Sequence, residues 1–341
     1  MFESPRRHHF LTATGARTGL VSAKPSRTLD FAPGANTQRG LWLGDFRYEN
    51  GRIFVKSTGV WMKNDWQLWS DIGRWLGYYA LVRAKSFWNL ITFKRGPRIW
   101  FAPHQPRPWY IVWAASVWAG VRFARSPEKA DAAFYFEDQT VAVPPPPRHA
   151  RAFNFGCGDV SKSKVAEVME AVFGYPLAID PRTHQGEAVE KSELNGVHDG
   201  RVVQCPCEPM PGKVYQRVIK TEDASGVALD LRTACVGGRA VVVFVKTKPA
   251  GARFSIQNTS VSAQKPEDVF SAFELGEITR FCKAMQLDWG GIDILRERES
   301  GRLYIVDVNK TDTGPAVVLS WRDRIFATRL LANALAAMVQ P

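Results

Sequence analysis

Residues 289–315, WGGIDILRERESGRLYIVDVNKTDTGP, constrain the fold of this chain more than any other stretch. Two apolar runs each carry one acid among hydrophobic residues: Asp293 in Gly-Ile-Asp-Ile-Leu and Asp307 in Tyr-Ile-Val-Asp-Val-Asn. Glu299-Ser300-Gly301 supplies a turn between them, so residues 291–297 and 303–308 are expected to be antiparallel neighbours. Asp307 and Asn309 are two residues apart and therefore share one face of their strand. A carboxylate on an apolar strand is costly unless something pairs with it. Two readings meet that demand. Asp293, Asp307 and Asn309 offer three oxygen ligands to a hard cation such as Mg²⁺, which completes its shell with phosphate oxygens and water. Alternatively, the acids are salt-bridged, with Arg296, Arg298 and Arg302 close in sequence as partners.

The rest of the chain reads as α/β. Residues 1–40 lack periodicity and are expected to be a flexible basic tail; their Arg- and Ser-rich composition is also that of a transit peptide. Residues 41–100 are expected to be an aromatic, basic helical extension. Within it Trp66, Trp69, Ile72, Leu76, Tyr79, Val82 and Leu90 recur at helical steps, and Trp75, Phe87 and Trp88 widen the stripe. That helix either packs its aromatic face on the body or lies on a membrane surface. Residues 101–150 suggest a small α/β unit with strands at 109–113, 121–124 and 132–136, closed by the linker Pro144-Pro145-Pro146-Pro147. Beyond it, the pattern predicts a helix over 161–173, strands at 177–179, 188–190, 202–205 and 214–219, a hairpin about Gly237-Gly238, and helices over 266–285 and 321–338.

Shorter motifs add candidates. Val189-Glu190-Lys191-Ser192 is a strand ending in lysine, followed by the glycine-containing loop 195–200. An ammonium beside a glycine loop suits phosphate, since glycine lets backbone N–H groups approach closely. An exposed hairpin lysine is the plain alternative. Asp230-Leu231-Arg232-Thr233 places an arginine two residues from an acid, either at a site or in a surface ion pair.

The 289–315 stretch resembles the C-terminal signature of the ATP-grasp superfamily. It is most similar to carboxylate–amine ligases of the ribosomal-protein glutamate ligase type, whose pattern is Gly-Val-Asp-Ile-Leu, a turn, then Glu-Val-Asn. The resemblance is specific over about 25 residues and diffuse over 150–341. It implies that Asp293, Asp307 and Asn309 hold the magnesium ions that bridge the ATP phosphates. It makes Lys191 a phosphate-contacting lysine, with Lys164, or its neighbour Lys162, as the second. It implies that the backbone near Gln216 and Val218 edges the adenine, and that Glu222 or Asp223 holds the ribose. Arg232 then faces the terminal phosphate and supports acyl-phosphate formation. Lys248, with Lys246, Arg253 and Asn258, is expected to contact the substrate or the γ-phosphate. Two departures stand out: Asp307 replaces the usual glutamate, and Lys-Thr-Asp-Thr-Gly-Pro follows Asn309 in place of a small-residue run.

Composition narrows the alternatives. The formal charge of +12 favours an anionic partner. Five cysteines without regular spacing make a poor disulfide framework and a poor zinc site. There is no Walker loop, dinucleotide fingerprint, nucleophile elbow or His-Glu-x-x-His helix. No apolar run approaches the roughly 18 residues that span a bilayer. The expectation is an α/β protein of the ATP-grasp fold, with halves at 151–225 and 226–341 after the 101–150 unit. It is expected in the cytoplasm, or peripheral to the inner membrane surface, using ATP and Mg²⁺ to join a small-molecule or peptide carboxylate to an amine. A small-molecule kinase on the same fold, and a non-catalytic protein binding a membrane or nucleic acid, are the rival readings.

Overall fold

In the computed structural model, residues 42–56, 60–92, 96–147, 149–197, 199–223, 226–249 and 260–340 are described. The tail 1–40, Arg253 and Asn258 fall outside them. Among the described residues the chain forms five α-helices and four β-sheets.

The chain begins with β1 (Phe46–Glu49), β2 (Arg52–Val55) and β3 (Val60–Lys63), an antiparallel sheet in that order. These three strands, which the sequence reading did not assign, precede the helix within the 41–100 segment. Asn50 and Gly51 both take positive φ, 50° and 72°, which is the mirror-image turn that matches strand twist in a two-residue hairpin. Helix α1 (Trp66–Ile91) follows, capped by Asp65, whose side chain accepts from Leu68 N at 3.0 Å.

Next comes a parallel sheet with order β5-β4-β6-β7, built from β4 (Arg98–Pro103), α2 (Ile111–Trp118), β5 (Arg122–Phe123), β6 (Ala132–Phe136) and β7 (Ala152–Phe153). The strand expected at 109–113 is instead the entry into α2. From Ile111 to Val117 every residue is buried, so the helix shows no polar face, and a uniformly apolar run reads equally as strand or helix. The chain remains tied to this sheet beyond the proline run. β7 lies beyond it and pairs in parallel with β6, and Val160 N donates to Thr140 O at 2.9 Å.

Helix α3 (Lys162–Phe173) is capped by Ser161 and stopped by Gly174 at φ 79°. β8 (Gly186–Ser192), β9 (Arg201–Cys205) and β10 (Lys213–Arg217) form an antiparallel sheet with β8 in the middle. The strand expected at 177–179 shrinks to a single bridge between Ala178 and Gln216.

The largest sheet has order β13-β12-β11-β14-β15, from β11 (Val227–Val236), β12 (Arg239–Pro249), β13 (Ser260–Gln264), β14 (Trp289–Arg296) and β15 (Leu303–Asn309). β11 and β12 turn at Gly237 and Gly238, both with positive φ. Helix α4 (Ala272–Ala284) sits between β13 and β14. It starts six residues later than expected, because Ser271 and Glu274 form a capping box there. Helix α5 (Trp321–Val339) closes the chain. Two apolar clusters sandwich the sheet. Val165, Met169, Ile278, Phe281, Ile292 and Ile305 belong to one; Phe134, Trp289, Val242, Leu331 and Leu335 belong to the other. Burial on both sides holds the sheet's middle strands rigid, so polar residues along them are placed by register.

Candidate functional site

Register assembles the site. Asp230 opposes Lys246, and Arg232 opposes Asp293 across the β11–β14 pair. Asp293 in turn opposes Asp307 on β15. Directly opposed residues share a face, as do residues two apart on one strand. Lys246 and Lys248, Asp230 and Arg232, Asp293, and Asp307 and Asn309 therefore form a charged grid across four adjacent strands. The first strand brings two lysines, the second an acid and an arginine, and the last two bring Asp293, Asp307 and the Asn309 amide. All seven line a cavity of about 700 Å³.

The grid is internally paired. Arg232 donates to Asp293 Oδ2 at 2.8 Å and also to Asp312. Lys246 Nζ lies 3.6 Å from Asp230 and 3.7 Å from Asp293, and Lys248 Nζ lies 3.9 Å from Asp230. One guanidinium thus serves two carboxylates, and their environments separate them. Burial works against ionised Asp293, yet Arg232, Lys246 and Lys248 outweigh it and hold the carboxyl well below the ordinary range. Asp312 has less compensation, so burial pushes it up to about 6 even beside Arg232. Burial, with Asp293 nearby, also raises Asp230. Arg232 stays charged: its two carboxylate neighbours overcome its own burial.

Gly291 makes this possible. It lies two residues before Asp293, on the same face and opposite Asn309. A Cβ there would collide with Asp312 Oδ2 and come within 2.7 Å of Arg232 Nε. The Arg232–Asp312 pair therefore occupies the space of the missing side chain.

The second wall comes from α3 and β8. Lys162 Nζ lies 3.2 Å from Asp307 Oδ1 and donates to Asn195 Oδ1 at 2.7 Å. Asn195 donates to Val308 O at 2.8 Å, tying the loop after β8 to β15. Lys191 Nζ donates to Val306 O at 2.9 Å. Burial lowers Lys191 to about 8, although Asp307 pulls it back up. A buried ammonium with one carbonyl partner is set to gain from an arriving anion.

The candidates named from sequence divide by placement. Asp293, Asp307, Asn309, Arg232, Lys248, Lys246 and Lys191 converge on the cavity. Lys162 lines it, whereas the Lys164 ammonium pairs with Glu167 at 2.8 Å along its own helix. Gln216, Val218 and Glu222 are not among its lining residues. Gln216 is nevertheless buried with no hydrogen-bond partner for Nε2. It opposes Val189, two residues from Lys191, so it shares the face of β8–β10 that carries that lysine. Asp312, Asp230 and Gly291 were not singled out as site residues. Asp312 lies in a loop and reaches Arg232 only through the tertiary fold. Asp230 was legible, being two residues before Arg232 on the same strand.

The donor set fits magnesium. Asp293 Oδ1 is buried without a hydrogen-bond partner, and Asp307 faces it across the register. Asn309 Oδ1 accepts from Thr311 N at 2.9 Å, which fixes the amide. Among the described residues no group of three or more His, Cys, Asp or Glu could hold a metal alone. Two carboxylates and an amide suit a cation that keeps phosphate and water ligands.

No family model matches this chain, and no curated protein matches it. Several solved structures are similar to it in part and at low identity. An ATP-grasp ligase, PsnB, complexed with a phosphomimetic variant of its minimal precursor, Mg and ADP, matches with 13% identity and TM-score 0.37 over 56% of this chain and 63% of that one. The chain thus spans less than two thirds of that structure's length. A RimK domain ATP-grasp protein from Sphaerobacter thermophilus DSM 20745 has 10% identity and TM-score 0.43, over 71% of this chain and 99% of that one. D-alanine–D-alanine ligase from Bacillus anthracis has 11% identity and TM-score 0.40, over 71% and 96%.

Proposed function

We propose that the protein is an ATP-dependent ligase of ATP-grasp type that activates a carboxylate as an acyl phosphate for attack by an amine. One observation supports the reading: Arg232, Asp293, Asp307 and Asn309 share one sheet face, and Lys162 and Lys191 close on its β15 edge to line the same cavity. Cations on both walls and hard oxygen donors on one are what a magnesium triphosphate needs.

In this reading Asp293, Asp307 and Asn309 hold magnesium, which would neutralise phosphate charge. Lys191 and Lys162 grip the phosphates. The β10 segment that includes Gln216 and Val218 edges the base, and Glu222 lies near the ribose. Arg232 faces the transferring group, where fixed positive charge stabilises a transition state that spreads negative charge. Lys246 and Lys248, on the outer side of the grid, are placed to orient the substrate carboxylate. Positioning and charge neutralisation supply the catalysis, with no covalent protein nucleophile. We further assign 151–225 and 226–341 to the two halves that enclose the nucleotide, with 101–150 before them.

The test is thermal stabilisation by Mg²⁺ with a non-hydrolysable ATP analogue. A ligand that binds only the native state raises the midpoint. The rise is expected to require Mg²⁺ and to vanish in Asn309→Ala. No rise in the folded parent would remove the nucleotide reading. Release of ADP with free phosphate and an amide product supports the ligase; phosphate retained on the product would assign the site to a kinase.

A further inference from the structure

Helix α1 has one face that the fold uses and one that it does not. Its inner face is fully engaged. Tyr78 Oη is 2.6 Å from Thr328 Oγ1 on α5, Asn89 Nδ2 donates to Trp118 O at 2.9 Å, and Trp75, Tyr79 and Trp113 stack in series. The opposite face follows the same helical period and is apolar from end to end. Trp66, Trp69, Leu76, Phe87 and Ile91 lie along it and all are exposed, Trp66 at 85% and Phe87 at 63%. At 1.5 Å per residue the helix is about 39 Å long. A soluble helix normally turns its polar side outward, and an aromatic stripe of this length in water is expensive.

The charge of this part of the sequence is one-sided. Residues 41–100 contain ten Lys and Arg against four Asp and Glu, so they carry half of the chain's formal +12 in under a fifth of its length. One of the four acids, Asp45, is buried against Arg107 at 2.7 Å. Arg74 and Arg83 are exposed on α1, on the two flanks of the apolar stripe. No helix among the described residues is long and apolar enough to cross a membrane.

We propose that the outer face of α1 docks this protein on an anionic membrane surface, lying in the plane of the headgroups with its aromatic stripe inserted. The occupant follows from charge. A second copy of α1 would set two strongly positive regions against each other, whereas an anionic bilayer offers apolar depth and negative headgroups together. Tryptophans suit this boundary, being apolar in body and polar at one edge. The helix is already held by α2 and α5, so docking does not have to fund its folding. Trp75, on the same helix, lines the cavity, so docking sets that cavity within about one helix diameter, 10–12 Å, of the surface. The proposal is independent of the ligase reading.

The experiment is co-sedimentation of the full chain with vesicles of phosphatidylcholine alone or mixed with phosphatidylglycerol, at low and high salt. Binding is expected to be roughly tenfold or more tighter to the anionic vesicles and to weaken with salt. Trp66→Ser with Phe87→Ser, both exposed, is expected to lose about tenfold or more of that binding. Arg83→Glu, a single surface change that keeps the apolar stripe, is expected to weaken binding to anionic vesicles alone. Absence of anionic-vesicle binding by the parent overturns the proposal, as does full binding by the folded double variant. If the double variant does not fold, undiminished binding by Arg83→Glu overturns the role of charge. A dimer in sedimentation velocity that the double variant abolishes, without vesicle binding by the parent, would reassign the face to a second copy.

Discussion

The sheet face beneath the cavity and the outer face of α1 depart from the usual partition of residues in opposite directions. The first puts charge inside: Arg232 and Asp293 are largely enclosed, and Asp293 Oδ1 and Asp230 Oδ1 lack hydrogen-bond partners. The second puts aromatic surface outside, with Trp66, Phe87 and Trp88 exposed. Each is costly in the isolated molecule, and each cost would fall with the partner proposed for it: a cation and phosphates for the sheet, an apolar and anionic surface for the helix. They differ in how the local structure tolerates the cost. The sheet's charges are cross-paired by register, so removing one disturbs the rest. The helix's outer residues are largely exposed, so their removal is expected to leave the fold intact.

That contrast can be broken most directly at Arg232. Arg232→Met is expected to abolish turnover and to destabilise the fold by about 3–5 kcal/mol, because Asp293 and Asp312 lose their shared cation. Thermal or urea unfolding reads this; a stability change like that of a surface variant would contradict the pairing. Asp307→Ala is expected to lower ATP turnover about 100-fold or more with a much smaller stability change, as ADP release would show. Gly291→Ala is expected to cost about 1–3 kcal/mol by forcing the Arg232–Asp312 pair out of its space, measured the same way. Lys162→Met is expected to weaken nucleotide affinity about tenfold, while Lys164→Met changes it little, since only Lys162 lines the cavity.

Proton linkage gives the smallest and most specific effect. Lys191 sits at about 8 in the folded protein, below its ordinary 10.5. Between those values the unfolded chain binds more protons than the native one, so this group makes stability rise as pH increases from about 8 to 10.5. Phosphates beside Lys191 would raise its folded pKa. Nucleotide binding near pH 8.5–9 is therefore expected to take up a fraction of a proton, visible by calorimetry in buffers of different ionisation enthalpy. The uptake should disappear in Lys191→Met.

Legibility from the sequence followed the range of the interactions involved. The 289–309 hairpin could be read from the sequence, because alternation, one turn and three polar residues determine it locally. The β1–β2 turn was equally local: Asn50-Gly51, with Tyr48 and Ile53 on either side, is a hairpin signal, but the sequence reading did not assign it. Helix α2 could not be read, since its burial is complete and leaves no polar face to mark a period. On α1 the stripe divides: Trp75 and Tyr79 pack inward, as the packing reading expects, while Trp66, Trp69 and Phe87 are exposed. The sequence stripe was too wide to assign those sides.

By itself, then, the sequence determined the strand and helix pattern of the C-terminal body and the chemical character of Asp293, Asp307, Asn309 and Arg232. These follow from residue type and spacing within a few positions. Only the tertiary structure decided that Arg232 is shared between Asp293 and Asp312, that Lys162 and not Lys164 reaches Asp307, and that Gly291 is empty space for an ion pair. Those outcomes depend on which strands become neighbours and in what register. That choice is made by burial of the apolar residues on both sides of the sheet, at sequence separations where no local pattern carries the information.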